Sequence, residues 1–166
     1  MRVVLDSDGL IKLYKAGILE KILDLWEVLV PAAVYEETVQ RGIEEAYPEA
    51  EALGRLIVGR VRVPPKDPRA QRILRTARSL GRGERETLHL FFAEGAEGIV
   101  SDDRAFLGFL RRHALPGLPP ALAVARLVEE ERLNKKEALA ALERMRGLVR
   151  EEVYWRARAR IEGGGG

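Results

Sequence analysis

Two short apolar runs in this chain each lead into acids. Val3-Val4-Leu5 leads directly into Asp6, and Gly98-Ile99-Val100 leads through Ser101 into Asp102 and Asp103. Runs this short, with no polar alternation, read as strands buried on both faces. Such strands belong to parallel sheets, and parallel neighbours must be joined by crossovers, usually helical. Val28-Leu29-Val30 reads as a second strand, Val61-Arg62-Val63 as an edge strand and Leu115–Leu118 as a short fifth strand. Between them, helices are expected over Gly9–Lys15, Ile18–Leu25, Pro31–Arg41 with a stop at Gly42, and Glu49–Ile57. Asp67-Pro68 places an N-cap acid before a proline, opening a helix expected to end at Gly81. Further helices are expected over Glu84–Glu94 and Asp103–Arg112, over Lys135–Arg146 behind an Asn134/Glu137 capping box, and over Arg150–Ile161.

Strands alternating with helices predict an α/β class fold, a three-layer α/β/α sandwich around a mainly parallel sheet of four or five strands. The 166 residues are enough for one domain. We expect a single domain over 1–162, with an α/β core at 1–118, a helical C-terminal appendage at 119–162 and a loose glycine tail at 163–166. No cysteine is present, which removes disulfide scaffolds, thiolate metal sites and cysteine nucleophiles. Two histidines are too few for a histidine-rich metal site. No apolar leader opens the chain, and the longest uncharged run, Leu115–Ala125, contains three prolines and a glycine. The expectation is therefore a cytoplasmic protein that does not engage a membrane.

In open α/β sheets, function gathers at the carboxyl ends of strands. Asp6, with Asp8 beyond it, and Asp102-Asp103 fall at two such ends. Glu84 follows Gly81-Arg82-Gly83 at a helix start, and Glu36-Glu37 lie in the helix opened by Pro31. One acid near a helix N-terminus needs no function, because free amides favour it there. Several converging carboxylates would resist ionisation unless a cation held them. Oxygen-only donors suit Mg²⁺ or Mn²⁺ rather than zinc, and such sites commonly handle phosphate groups.

These pieces, in this order, resemble PIN-domain proteins, the nuclease-like family that includes toxins of the VapC type. The matching segments are Val3-Val4-Leu5-Asp6-Ser7, Val30-Pro31-Ala32-Ala33-Val34-Tyr35-Glu36-Glu37, Leu80-Gly81-Arg82-Gly83-Glu84 and Ile99-Val100-Ser101-Asp102-Asp103-Arg104-Ala105-Phe106. Residues 147–154 also resemble a longer PIN-like subgroup with added C-terminal helices. The resemblance implies strand order 3-2-1-4-5 and metal-dependent cleavage of RNA, a ribonuclease activity. It implies catalytic and metal-ligating roles for Asp6, Glu37, Glu84 and Asp103, with Asp102 as a further metal ligand. Glu36 and Glu37 compete for the second place, and Asp102 and Asp103 for the fourth. Ser7 and Ser101 are candidates for orienting a water or a ligand. A toxin-like role further implies an antitoxin protein as partner, and a homodimer is expected.

The net charge of +2 conceals an uneven distribution. Residues 1–54 carry 5 basic and 11 acidic groups, whereas residues 55–85 carry 10 and 2. Arg69, Arg72, Arg75 and Arg78 recur every third residue, with Arg82 beyond them. On one helix these residues would form a basic face leading toward Glu84. Arg69, Arg72, Arg75 and Arg82 are thus candidates for RNA binding, against the alternative of a merely solvated face.

Two other readings stay open. Leu5-Asp6-Ser7-Asp8-Gly9 also resembles the start of haloacid-dehalogenase-type phosphatases, with Asp6 as nucleophile, Asp8 as general acid and Leu10 where threonine is usual. A PIN-like fold could instead bind RNA or protein without turnover. Leu139, Leu142 and Met145 form a helical packing face whose partner is this chain, another copy or another protein.

Overall fold

The computed structural model of the chain describes residues 1–163. Its centre is β1 (Arg2–Leu5), flanked by β2 (Glu27–Pro31) on one side and β4 (Gly98–Val100) on the other. β3 (Val61–Arg62) and β5 (Gly117–Leu118) close the two edges, giving the order β3-β2-β1-β4-β5 with every pairing parallel. This is the expected α/β/α arrangement. The first helices are α1 (Ser7–Lys15), α2 (Leu19–Leu25), α3 (Ala32–Tyr35), α4 (Arg41–Glu44) and α5 (Ala50–Ile57). They are followed by α6 (Pro68–Leu74), α7 (Arg82–Ala93), α8 (Arg104–Arg112), α9 (Pro120–Glu129), α10 (Lys135–Met145) and α11 (Glu151–Gly163).

The apolar strands divide their residues between two cores, because successive side chains leave a strand on opposite faces. Val3, Leu5, Val28, Val30 and Val100 pack toward α1, α2 and the C-terminal helices α9–α11. Val4, Leu29 and Ile99 pack toward α6, α7 and α8. Each fully buried aliphatic side chain in these layers contributes about 1.5–3 kcal/mol. Among the described residues no helix is long and apolar enough to cross a membrane.

Several local expectations are corrected. The helix opened by Asp67-Pro68 stops at Leu74, not at Gly81. There the Thr76 hydroxyl donates to the Ile73 carbonyl at 2.7 Å, and the Thr76 and Ala77 amides close tight turns onto Ile73 and Leu74. Local side-chain bonding of this kind competes with helix continuation. The helix after Pro31 does not stop at Gly42. It passes through a π-helical turn at Glu36–Gln40 and continues as α4, because a side chain at Gly42 would meet Ala50 whereas glycine lets α4 approach α5. Val63 lies outside β3 and is 83% exposed. α9 falls within the helical appendage expected over 119–162, where the sequence marks no bounds for it. Pro120 occupies the first turn, where its missing amide costs nothing. Gly163 closes α11, and the rest of the expected tail lies outside the described residues.

Candidate active site

The chain crosses to the far side of β1 between β3 and β4, so the ends of β1 and β4 form the switch point of the sheet. Asp6 follows β1 there. Its amide donates to the Val100 carbonyl at 3.2 Å, extending the ladder one residue beyond the strand. Its Oδ1 accepts the Gly9 amide at 2.8 Å and caps α1. Gly9 is needed at this point, because a Cβ would lie 2.4 Å from the Val100 carbonyl oxygen. Asp103, after β4, caps α8 by accepting the Phe106 amide at 2.8 Å, and its own amide donates to the buried Ser101 hydroxyl at 3.2 Å.

The other two acids come from helices. Glu84 stands in the first turn of α7, and Glu37 in the π-helical turn after α3. A carboxylate from α7 joins these elements: Glu86 Oε1 accepts the Ala33 amide at 3.0 Å and ties the start of α3 to α7. Glu37 Oε2 accepts the Ser7 hydroxyl at 2.6 Å. A Cβ at Gly83 would lie 2.9 Å from both Glu37 carboxylate oxygens, so glycine there leaves Glu37 its room. Asp6, Glu37, Glu84 and Asp103 line one cavity of about 100 Å³, with Ser7, Asp8, Gly81 and Gly83.

The electrostatics follow from this crowding. Burial pushes the Asp6 carboxyl up to about 7, against the Ser101 and Gly9 hydrogen bonds that favour its ionised form, with Asp8 and Glu84 adding repulsion. Glu84 is likewise raised to about 7, first by burial and then by Asp103, Glu37 and Asp8. Asp8, on the cavity rim, is raised by desolvation more than Lys12 lowers it, with Asp103, Asp102 and Glu37 opposing ionisation further. Among the described residues no three metal-ligating side chains are gathered at coordinating distance about one point. The donor set nonetheless suits a hard divalent cation: only oxygen donors converge, and no cationic side chain lines the cavity. A cation is what would let this set ionise fully near neutral pH.

Of the expected site residues, the structure brings Asp6, Glu37, Glu84 and Asp103 together and leaves Asp102 apart. Asp102 is buried and turned to the Lys12 ammonium, and its Oδ1 is buried with no hydrogen-bond partner. The Lys12 ammonium answers its charge. Of the paired glutamates, Glu37 faces the cavity, while Glu36 forms an ion pair with Arg82 outside it.

The arginines do not form one face. Arg82 is paired with Glu36 and Glu86. Arg69 is bonded to Asp67 and stacked over Phe92, near the end of α7 opposite Glu84. Arg72 is on α6, but Arg75 lies beyond its end, and both are exposed. Arg78 instead reaches a cavity that also touches Glu84 and Asp103. Lys12 and Glu86 carry no signal in the sequence, and Gly9 and Gly83 stand there only inside motifs, with no role of their own. The spacing of Gly9, three residues beyond a strand-end aspartate, is the one signal that could have marked such a role.

The family described as DUF3368, a PIN domain, matches residues 2–162, which include both the sheet and the three C-terminal helices. No match was found among curated proteins or among solved structures. With the sheet order, the carboxylates at the switch point and this match over nearly the whole described chain in agreement, the protein belongs to the PIN-domain family.

Proposed function

We propose that the chain is a divalent-cation-dependent endoribonuclease acting on single-stranded RNA. The observation that carries this reading is the meeting of Asp6, Glu37, Glu84 and Asp103, from four separate segments, in one cavity at the sheet's switch point. Membership of a nuclease-type fold family supports it. These four carboxylates would hold Mg²⁺ or Mn²⁺. When bound, such a cation supplies Lewis acidity toward a phosphoryl oxygen and lowers the pKa of a coordinated water.

The chain's own residues prepare the place. The Gly9 amide fixes Asp6, the Ser7 hydroxyl fixes Glu37, and the Phe106 amide fixes Asp103, so three of the four donors are held by hydrogen bonds in advance. Such preorganisation avoids reordering the donors at the moment of reaction. Asp6 and Glu84, which hold protons up to about pH 7, must release them for the cavity to act as a full anionic cradle. Activity should therefore rise with pH through neutrality.

The test is an RNA-cleavage assay with Mn²⁺ or Mg²⁺, with EDTA, and with Asp6→Asn as the contamination control. Weak endonucleolytic cleavage is expected, lost in the chelator and in the variant. Undiminished cleavage by Asp6→Asn would show that the activity lies elsewhere. RNA binding without cleavage by either protein would favour a non-catalytic binding module. The toxin-like form of this reading adds an antitoxin partner and cytoplasmic action, and co-expression with a protein encoded beside this one should suppress cleavage.

A further inference from the structure

A second and larger cavity, of about 580 Å³, opens beside β5 and shares no lining residue with the acidic one. Arg104 and Arg111 reach it from α8, Arg150 from the turn before α11, and Arg156 from α11. Glu152 is the sole carboxylate in its lining, and it accepts a hydrogen bond from Arg150 at 2.9 Å. The side chains of Arg104, Arg111 and Arg156 make no hydrogen bond or ion pair among the described residues. The Arg150 Nε is buried without a partner. Part of the wall is apolar, formed by Leu115, Pro116 and Pro119, none of them buried.

Four guanidinium groups around one void, answered by one carboxylate, repel one another and focus a positive potential into it. Their planar forks match phosphate oxygens two at a time. The apolar wall calls for a flat or apolar body attached to the anion, since ligand cavities pair such surfaces with a few convergent polar groups. A bare inorganic anion would leave that wall without a partner.

We propose that this cavity binds a phosphorylated nucleoside, its phosphates on the arginines and its base against Leu115, Pro116 and Pro119. The nucleotide is either free or one unit of an RNA strand, because the phosphate and the base are the same in both. The site is independent of the proposed cleavage chemistry, and binding to it is measured without divalent cations.

The experiment measures binding in EDTA, with ATP by calorimetry and with a fluorescent single-stranded oligoribonucleotide by anisotropy. The proteins compared are the unmodified chain, Arg111→Glu, Arg156→Glu, the double variant, and Arg132→Glu as an exposed control outside the cavity. Each cavity substitution should weaken binding about tenfold or more, as expected for loss of a charge-assisted hydrogen bond. The control should bind as the unmodified chain does, and all five should keep the same Mn²⁺-induced rise in melting temperature. Binding of ATP that weakens in the cavity variants supports a free nucleotide as the ligand. Binding of the oligonucleotide alone, weakened in the same variants, supports a strand. Absence of binding to the unmodified chain, unchanged binding in the double variant, or equal weakening in Arg132→Glu would overturn the proposal.

Discussion

Asp6 and Glu84 each hold a proton more tightly in the folded chain than an ordinary carboxylate would, with both raised to about 7. Without a cation, the folded state therefore binds more protons than the unfolded chain between about pH 4 and 7. Their contribution to stability is greatest below that window and is lost as the pH climbs through it. Melting temperature measured in EDTA should fall across this range. Asp6→Asn, which cannot ionise, should flatten the fall and melt higher at pH 8, while losing most of the gain that Mn²⁺ gives the unmodified protein. Gly83→Ala makes the complementary case. Helix propensity favours alanine by up to about 1 kcal/mol, yet the new methyl group must displace the Glu37 carboxylate. The cation-induced rise should shrink with no loss of stability in EDTA. Lys12→Met should destabilise by about 3–5 kcal/mol, because it leaves the buried Asp102 without its counter-charge. Chemical denaturation would measure it.

At the level of the element, the close approach of α1 to β4 permits no side chain at Gly9. Gly9→Ala forces backbone against backbone and should cost about 3 kcal/mol, readable as a lower denaturation midpoint. The elements that were legible in the sequence share a property: their signals are local. Val3-Val4-Leu5 and Gly98-Ile99-Val100 are strands because every residue is apolar, and Asn134 caps α10 because Glu137 follows at the right distance. The signals that failed were non-local or ambiguous. Nothing near Arg69 in sequence reveals that the Phe92 ring and carbonyl will engage it, so an arginine periodicity passed for a continuous basic face. The bounds of α9 carry no local mark either, because the packing of α10 and α11 against this apolar helix decides them. Of the acids, position after a strand singles out Asp6 and the Asp102-Asp103 pair, and the resemblance favours Glu37 over Glu36, whereas the Ser7 hydroxyl that Glu37 accepts lies thirty residues away and leaves no mark in the sequence.

For the whole molecule, the C-terminal helices are not an accessory layer. Leu142 and Met145 are buried in the same core as Val3 and Leu5, and Leu139 packs against that core. Of the three occupants left open for this packing face, the chain itself is the one that covers it. Leu142→Ala should cost about 2–5 kcal/mol, and a chain ending at Leu118 should fail to give a cooperative thermal transition. A homodimer, the expectation from resemblance, would have to use another surface, and Ile43, Tyr47 and Val58 are among the exposed apolar side chains. Sedimentation of Tyr47→Glu beside the unmodified chain would decide whether Tyr47 belongs to such a surface.

The placement of β1 between β2 and β4 also has a consequence in time. The ribosome releases Asp6 first, but its neighbouring strand β4 is Gly98–Val100, and Asp103 follows still later. Pairings between segments so far apart in sequence form slowly and late. A nascent chain halted before Asp103 holds one end of the switch point with nothing opposite it. Synthesis therefore acts as a timer: no N-terminal fragment that stops short of Asp103 contains the assembled acidic cavity, so the cleavage proposed for it can begin only once β4 has docked.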